Sequence, residues 1–520
     1  MTTALALVGP ILAGLTLAMG TLAGPARAAG ACEDLASLRL PHVSITSVQV
    51  VGATPALTPA APALPAVCRV LGVARPTADS QIRFEVAIPE NGAWNGRYLQ
   101  VGNGGFAGEI PERTMAMGLA AGFAVAGTDD GHPSADGTDA SWALGHPEKV
   151  VDFGYRALKE TTDAAKAIIR AYAGKAPRYS YFAGCSDGGR EALMEVQRYP
   201  GDFDGVVAGD PANHWTHLLA DAAWNVQALE APGGYVGAAK LKAIEAAALK
   251  ACGDQDGVIE NPLTCRFDPA VLRCSGAETD QCLTDAQIAT LRRIYGGAVD
   301  PKTGKRVLWG FDPGGEAEPG GWATWITGTG PGAAGHALQY RFGDNFFKYV
   351  QFADPNYPFP KLDFDADVAA TDAKYAGILN AYAPDLGAFR KHGGKLIQYH
   401  GWADPAIPPR DSIEYFGRVQ ARMGDTADFY RLFLAPGMLH CSGGAGPNVL
   451  PTLQAITAWV EQGKAPDVLV ATKYRSDSPA LGVERTRPLC AYPKLAQWDG
   501  KGERDRAESW RCAAPPPPPA

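Results

Sequence analysis

Ile82, Phe84, Val86 and Ile88 alternate with mostly less apolar neighbours, the period-two pattern of a half-buried strand. Pro89 closes that run, and Asn91-Gly92 and Asn95-Gly96 supply turn chemistry beyond it. A second strand is predicted over Tyr98 to Val101, running into Gly102-Asn103-Gly104-Gly105-Phe106-Ala107-Gly108. A third short apolar run, Phe123 to Ala126, stops at Gly127. The period then becomes helical: Leu158, Thr161, Ala165, Ile168 and Tyr172 share a face, and Pro177 breaks the helix. Tyr179 to Ala183 reads as a strand, Gly184 to Gly189 as a tight turn, and Arg190 to Arg198 as a helix. This alternation predicts an α/β fold, a mainly parallel sheet with helices on both faces. Sheet-like alternation fades between about Asn213 and Pro384, then returns at Lys395 to His400 and at Phe429 to Leu434. The intervening stretch is rich in Gly and Pro and carries Trp322, Trp325, Phe346, Phe347 and Tyr349. It predicts a lid, residues 213–384, inserted into a main domain formed by 29–212 and 385–512. Residues 513–520, with prolines from 515 to 519, predict a disordered tail.

Composition narrows the class. Of 520 residues 46% are hydrophobic, ample for a large core. The formal net charge is −8 and no basic run occurs, which argues against nucleic acid or an anionic membrane as partner. Residues 4–23 are dominated by Ala, Leu, Gly and Val, and Ala26-Arg27-Ala28 follows as a small-x-small cleavage site. Residues 1–28 therefore read as a signal peptide. The rival reading is an uncleaved anchor, since no Lys or Arg precedes the apolar run. Pro10 and the glycines argue against a stable span, and no later stretch reaches the roughly 18–20 apolar residues a span needs. The expectation is a secreted or periplasmic protein without membrane contact after cleavage. Ten cysteines, none in a C-x-x-C pair, point to structural disulfides in an oxidising compartment rather than a zinc ribbon or a redox site.

Gly184-Cys185-Ser186-Asp187-Gly188 matches G-x-S-x-G between a predicted strand and a predicted helix, the context that motif needs. Its glycines permit a sharp turn that exposes the Ser186 hydroxyl at a helix N-terminus, where the dipole favours developing negative charge. A serine hydroxyl needs an adjacent base. His400 and His440 are the candidates. His440 follows a strand in the loop Pro436-Gly437-Met438-Leu439-His440-Cys441, suited to swinging an imidazole over the sheet. His400 ends a strand and reads as a structural or supporting residue. Asp404, just past that strand, is placed to orient the imidazole, with a turn-capping Asp before Pro405 as the bland alternative. Asp411 is the fallback acid and otherwise a helix N-cap. The oxyanion hole is expected from the N–H of Asp187 and from the loop containing Gly104 and Gly105. That Gly-rich loop lacks the Lys-Ser/Thr ending of a phosphate-binding loop.

Gly-Cys-Ser-Asp-Gly-Gly-Arg-Glu from Gly184, Tyr199-Pro200-Gly201-Asp202-Phe203-Asp204-Gly205, Gly209-Asp210-Pro211-Ala212, His400-Gly401-Trp402-Ala403-Asp404 and Pro436 to Cys441 resemble the tannase and feruloyl esterase family. That family also includes mono(2-hydroxyethyl) terephthalate hydrolase. The resemblance spans nearly the whole mature chain. It implies an α/β-hydrolase fold with a large lid, a Ser186–His440–Asp404 triad and hydrolysis of aromatic or phenolic acid esters. It further implies disulfides Cys185–Cys441, Cys32–Cys68, Cys252–Cys265, Cys274–Cys282 and Cys490–Cys512. No catalytic cofactor is implied, but members often hold calcium in a lid loop that begins just after a cysteine. Here that loop, Cys252 to Glu260, looks shortened and lacks early carboxylates. Asp254, Asp256 and the Val258 carbonyl are the candidate calcium donors, and an Asx-rich turn stapled by Cys252–Cys265 is the alternative.

The expected protein is thus a secreted serine carboxylic ester hydrolase of feruloyl esterase or tannase type, taking a small aromatic ester. A terephthalate monoester is the runner-up substrate. A catalytically inactive hydrolase fold acting as a binding module is the alternative from another class, and a peptidase or amidase is a third.

Overall fold

The computed structural model describes residues 1, 31–56, 62–253, 256–330 and 337–515. The expected signal segment from residue 2 onward, Asp254, and tail residues 516–520 lie outside the described residues.

Nine strands build the main sheet: β1 (Val43–Val51), β2 (Val67–Ala74), β3 (Ile82–Pro89), β4 (Arg97–Val101), β5 (Ala124–Thr128), β6 (Tyr179–Cys185), β7 (Gly205–Gly209), β8 (Lys395–Gly401) and β9 (Tyr430–Ala435). Their order is β1-β2-β3-β5-β4-β6-β7-β8-β9. From β5 through β4 to β9 neighbours are parallel. β1, β2 and β3 pair antiparallel, and so do β3 and β5. The expected parallel sheet is therefore mixed at its N-terminal edge. The link from β2 to β3, residues 75–81, is too short for the dozen-residue crossover that parallel pairing needs. This is the α/β-hydrolase arrangement.

Helices close both faces. Ala157–Ala173, Asp187–Arg198 and Pro409–Met423 cover one face through Leu158, Ile168, Leu193, Tyr415 and Val419. Glu112–Ala120 and Thr452–Gln462 cover the other through Met115, Leu119, Ile456 and Trp459. Each such side chain contributes roughly 1.5–3 kcal/mol on full burial. The helix expected to stop at Pro177 ends earlier, because Gly174 takes a left-handed φ of 70° and caps it.

Between β7 and β8 the chain leaves the sheet and builds two further cores, the second shared with Phe106, Phe153 and Ile407 of the main domain. One holds Leu241, Ile244, Leu291, Ile294 and Trp322, and the other gathers Trp215, Phe346, Phe347 and Phe359. Ala381, Tyr382, Leu386 and Phe389 already belong to the core under the sheet. After β9 come a hairpin, β10 (Val468–Tyr474) with β11 (Val483–Cys490), and a pair, β12 (Leu495–Trp498) with β13 (Trp510–Ala513). Ala513, expected in the tail, pairs with Leu495 as the last residue of β13. The five disulfides Cys32–Cys68, Cys185–Cys441, Cys252–Cys265, Cys274–Cys282 and Cys490–Cys512 are formed. Among the described residues no helix is long and apolar enough to cross a membrane.

Candidate active site

The carboxyl ends of β4, β6, β7, β8 and β9 deliver the polar residues of interest to one edge, the edge where open α/β sheets bind ligands. Ser186 follows β6 with φ 66° and ψ −123°, and a helix begins at Asp187. A left-handed serine costs on the order of 1–3 kcal/mol and needs its surroundings to hold it. They do. The Ser186 carbonyl accepts the N–H groups of Gly189, Arg190 and Ala212, and its own N–H donates to Gly209 at 3.0 Å. The flanking glycines are steric requirements, since a Cβ on Gly184 would lie 2.4 Å from the Gly188 carbonyl oxygen.

Asp404 stands three residues beyond β8, and His440 follows β9. His440 Nδ1 lies 2.8 Å from Asp404 Oδ2, so Nδ1–H donates to the carboxylate and Nε2 remains as a base. The other oxygen, Oδ1, accepts N–H groups from Ala406 at 2.7 Å and Ile407 at 3.0 Å. His400 Nε2 is 3.2 Å from Asp404 Oδ2, so two imidazoles face one carboxylate. Burial pushes the Asp404 carboxyl upward, but His440 and His400 outweigh it and hold it below the usual range. Burial pulls the His440 imidazole down, and the Asp404 charge more than reverses this. Ser186 and His440 border the same cavity. The Cα atoms of Cys185 and Cys441, their chain neighbours, are 6.0 Å apart. His400 is fully buried, with Nδ1 2.7 Å from Ser412 Oγ. Asp411 lies elsewhere, accepting the Tyr382 hydroxyl at 3.0 Å.

Asp210, at the end of β7, has no role in the sequence reading, although it stands in one of the motifs that carry the resemblance. Its Oδ1 accepts the Gly401 N–H at 2.7 Å and its Oδ2 the Cys441 N–H at 3.2 Å, with Cys185 Sγ also 3.2 Å away. One buried carboxylate therefore joins the ends of β7 and β8 to the histidine loop. Burial, opposed by His400, pushes its carboxyl up to about 6. Its charge helps raise the His440 pKa above 6.5. A base works only unprotonated, so activity falls as pH drops through that pKa. Asp210→Asn removes a negative charge and is expected to move the acid limb of kcat/KM to lower pH. A pH profile with an unmoved limb would deny Asp210 this electrostatic role.

Gly105 and Asp187 border the cavity, and the Cα of Gly104 faces open space. Gly105 has φ 61°, and a Cβ there would meet the Gly137 carbonyl oxygen at 2.4 Å, so only glycine fits. Asn103 fixes this loop to the nucleophile helix. Its carbonyl accepts the Gly188 N–H at 2.8 Å, its N–H donates to Glu191 Oε2 at 2.9 Å, and its Nδ2 donates to Asp130 Oδ2 at 3.0 Å. The Asp187 carboxylate is fully buried against Arg190.

The cavity wall is apolar. Trp215, Leu219 and Ala222 come from the helix Trp215–Leu229, Ile407 from the loop after β8, and Trp325 and Phe342 from the lid. Trp325 meets His440 edge-on, with ring centroids 5.1 Å apart, and stacks parallel to Phe342. Of the lid aromatics Trp322, Trp325 and Phe346, Trp325 reaches the cavity. Trp322 and Phe346 are buried in the lid cores. The sequence reading missed Trp215, Phe342 and Gln339.

The family sequence profile described as tannase and feruloyl esterase matches residues 68–513. The chain belongs to the tannase and feruloyl esterase family. It is 43% identical to an uncharacterized esterase of Xanthomonas campestris pv. campestris, covering 96% of this chain and 94% of that protein. It is 34% identical to the mono(2-hydroxyethyl) terephthalate hydrolase of Piscinibacter sakaiensis, covering 88% and 87%. Feruloyl esterase B from Aspergillus oryzae superimposes with a TM-score of 0.84 at 27% identity, over 93% of this chain and 99% of that one.

The calcium expected for a member of this family does not fit the described residues. Asp256 Oδ2 accepts Arg487 Nη2 at 2.5 Å and lies 3.7 Å from Arg485 Nη1. Arg487 also pairs with Glu260. A cation that wants six to eight oxygens would meet two guanidiniums at its best carboxylate. The Val258 side chain is buried, and Asp254 lies outside the described residues.

Proposed function

We propose that the protein is an exported serine hydrolase that cleaves esters of aromatic acids through an acyl-enzyme on Ser186. It is a carboxylic ester hydrolase of the tannase and feruloyl esterase type. The observation that carries the mechanism is the buried Asp404–His440 pair beside a nucleophile turn at the wall of an apolar cavity. His440 Nε2 takes the Ser186 proton as Oγ attacks the ester carbonyl. The resulting oxyanion is met by N–H groups of Asp187 and the Gly104–Gly105 loop, fixed before reaction and so needing little reorganisation. Collapse expels the alcohol, which takes the proton from His440. Water, deprotonated by His440, then releases the acid. Asp404 stabilises the imidazolium formed in both halves. These steps use no cofactor.

The cavity also bears on the substrate. Trp215, Trp325 and Phe342 offer aromatic faces and edges to an aryl group. Among the described residues no Lys or Arg lines it. Gln339, the side-chain amide there, is committed: Nε2 donates to the Pro405 carbonyl, and Oε1 accepts from Asn225. A second carboxylate on the acyl group would be buried without a cationic partner, at a penalty of several kcal/mol. An uncharged acyl group such as feruloyl therefore suits the site better than one bearing a free carboxylate, and this favours the feruloyl reading over the terephthalate monoester. With methyl ferulate, methyl gallate and a terephthalate monoester as substrates, kcat/KM for ferulate is expected to exceed that for terephthalate by at least about tenfold. The reverse order would overturn the substrate reading while leaving the chemistry intact. Failure to label Ser186 with a fluorophosphonate would instead favour a binding module, and cleavage of a matched amide at the ester's rate would favour an amidase. The five disulfides support folding in an oxidising compartment, outside the cell or in a periplasm.

A further inference from the structure

Arg485 and Arg487 are two residues apart on β11, so their side chains leave the same face of the strand. Both reach the Cys252–Cys265 loop of the lid. Arg487 is 1% exposed, and one guanidinium serves two acids of that loop, Nη2 on Asp256 and Nη1 on Glu260. It is backed by the Trp510 ring, whose centroid lies 3.7 Å from its central carbon. Arg485 adds a second positive charge, donating to the Asp256 carbonyl at 3.3 Å, and is itself neutralised by Asp505 at 3.1 Å. Asp256 is 6% exposed and Arg487 is more deeply buried still, so their charges are shielded little by solvent.

We propose that the Arg485–Arg487 pair does the work of a cation at this loop, fastening the lid to the C-terminal hairpin without metal. Charge supports this. One buried guanidinium, that of Arg487, already holds both acids of the loop, so a calcium ion added here would have to displace it from the carboxylates the ion needs. Position gives the clamp a purpose. Val258, between Asp256 and Glu260, packs toward Gly437, where an added Cβ would meet its Cγ1 at 3.2 Å. Gly437 opens the loop that carries His440. On the same hairpin, Lys473 of β10 donates from Nζ to the Gly444 carbonyl at 2.7 Å, just beyond His440. The hairpin therefore holds the lid loop and the histidine loop together, and Arg487 is a structural clamp, not a catalytic residue.

The test is metal content and melting of the full mature chain. Elemental analysis is expected to find well under one calcium per chain, and neither EDTA nor added millimolar calcium should shift Tm. Arg487→Met takes the closest cation from Asp256 and Glu260, which solvent reaches little, and is expected to lower Tm by about 5 °C. The less buried Arg485→Gln serves as a milder variant if Arg487→Met does not fold, and a smaller drop is expected. One retained calcium per chain, with a fall in Tm on chelation, would overturn the proposal. So would an unchanged Tm in both arginine variants.

Discussion

Ser186→Ala is expected to lower kcat by roughly 10⁶-fold, with His440→Ala close behind, because nucleophile and base act as one unit. Asp404→Asn should lower it by about 10⁴-fold, since an amide at that position no longer stabilises the imidazolium or enforces the tautomer that leaves Nε2 free. These losses should come with little change in folding. Ser186 owes its conformation to hydrogen bonds of its backbone carbonyl and N–H, which alanine keeps. Asp411→Asn is the matched control. Its carboxylate accepts the Tyr382 hydroxyl and lies 3.7 Å from His214, not at His440, so turnover should stay within a few-fold of the parent. Steady-state rates on one phenolic ester, with circular dichroism to verify folding, decide the matter. If Asp411→Asn proved as damaging as Asp404→Asn, the acid would be misassigned. Residual activity of a few per cent in Ser186→Ala would remove the acyl-enzyme.

Which parts were legible beforehand follows from how each residue is used. β3 shows alternation, and β6, β8 and β9 are apolar runs beside turns or helices, so they can be read directly. β7 is Gly-Val-Val-Ala-Gly and buried on both faces, which leaves no alternation to see. Gly209 is small because the Tyr399 ring packs on it, a contact visible only after folding. With β7 unread, nothing in the sequence marked Asp210 for a role, although it sits beneath the nucleophile turn. His400 lies at the end of an apolar strand and His440 in the loop after one, and both point at Asp404. They differ in access: His400 is sealed in, with Nδ1 at Ser412 and Nε2 at Ile407 and Asp404, whereas His440 borders the cavity. Trp322 and Trp325 lie three residues apart in one short helix, yet one fills the lid core and the other meets the imidazole. That choice belongs to tertiary packing. The arginine clamp was hidden for a related reason, because its cations come from a strand more than 220 residues downstream of the acids they pair.

Removing the Cys185–Cys441 link should cost stability and rate together. The bond joins residues 256 apart, and in the chain-entropy account closing so long a loop contributes about 5 kcal/mol. The Cys274–Cys282 bond in the lid spans only 8 residues, for which the same account gives about 2.5 kcal/mol. Serine replacements at each pair should therefore lower Tm by different amounts, the larger drop coming from Cys185→Ser with Cys441→Ser. Kinetics should separate them further. Ser186 and Cys441 both hold left-handed backbone, with φ of 66° and 62°, conformations that persist only where the surroundings enforce them. Backbone hydrogen bonds hold Ser186, while the disulfide and Asp210 hold Cys441 and so the loop that carries the base. Without the bond, kcat should fall at least about tenfold even well below the melting temperature, because the reacting groups are no longer held in register. The Cys274→Ser with Cys282→Ser variant should keep its kcat. If the 185–441 variant melted early yet turned over at the parental rate in the cold, the link would be a staple on the unfolded chain and no part of how Ser186 and His440 are positioned.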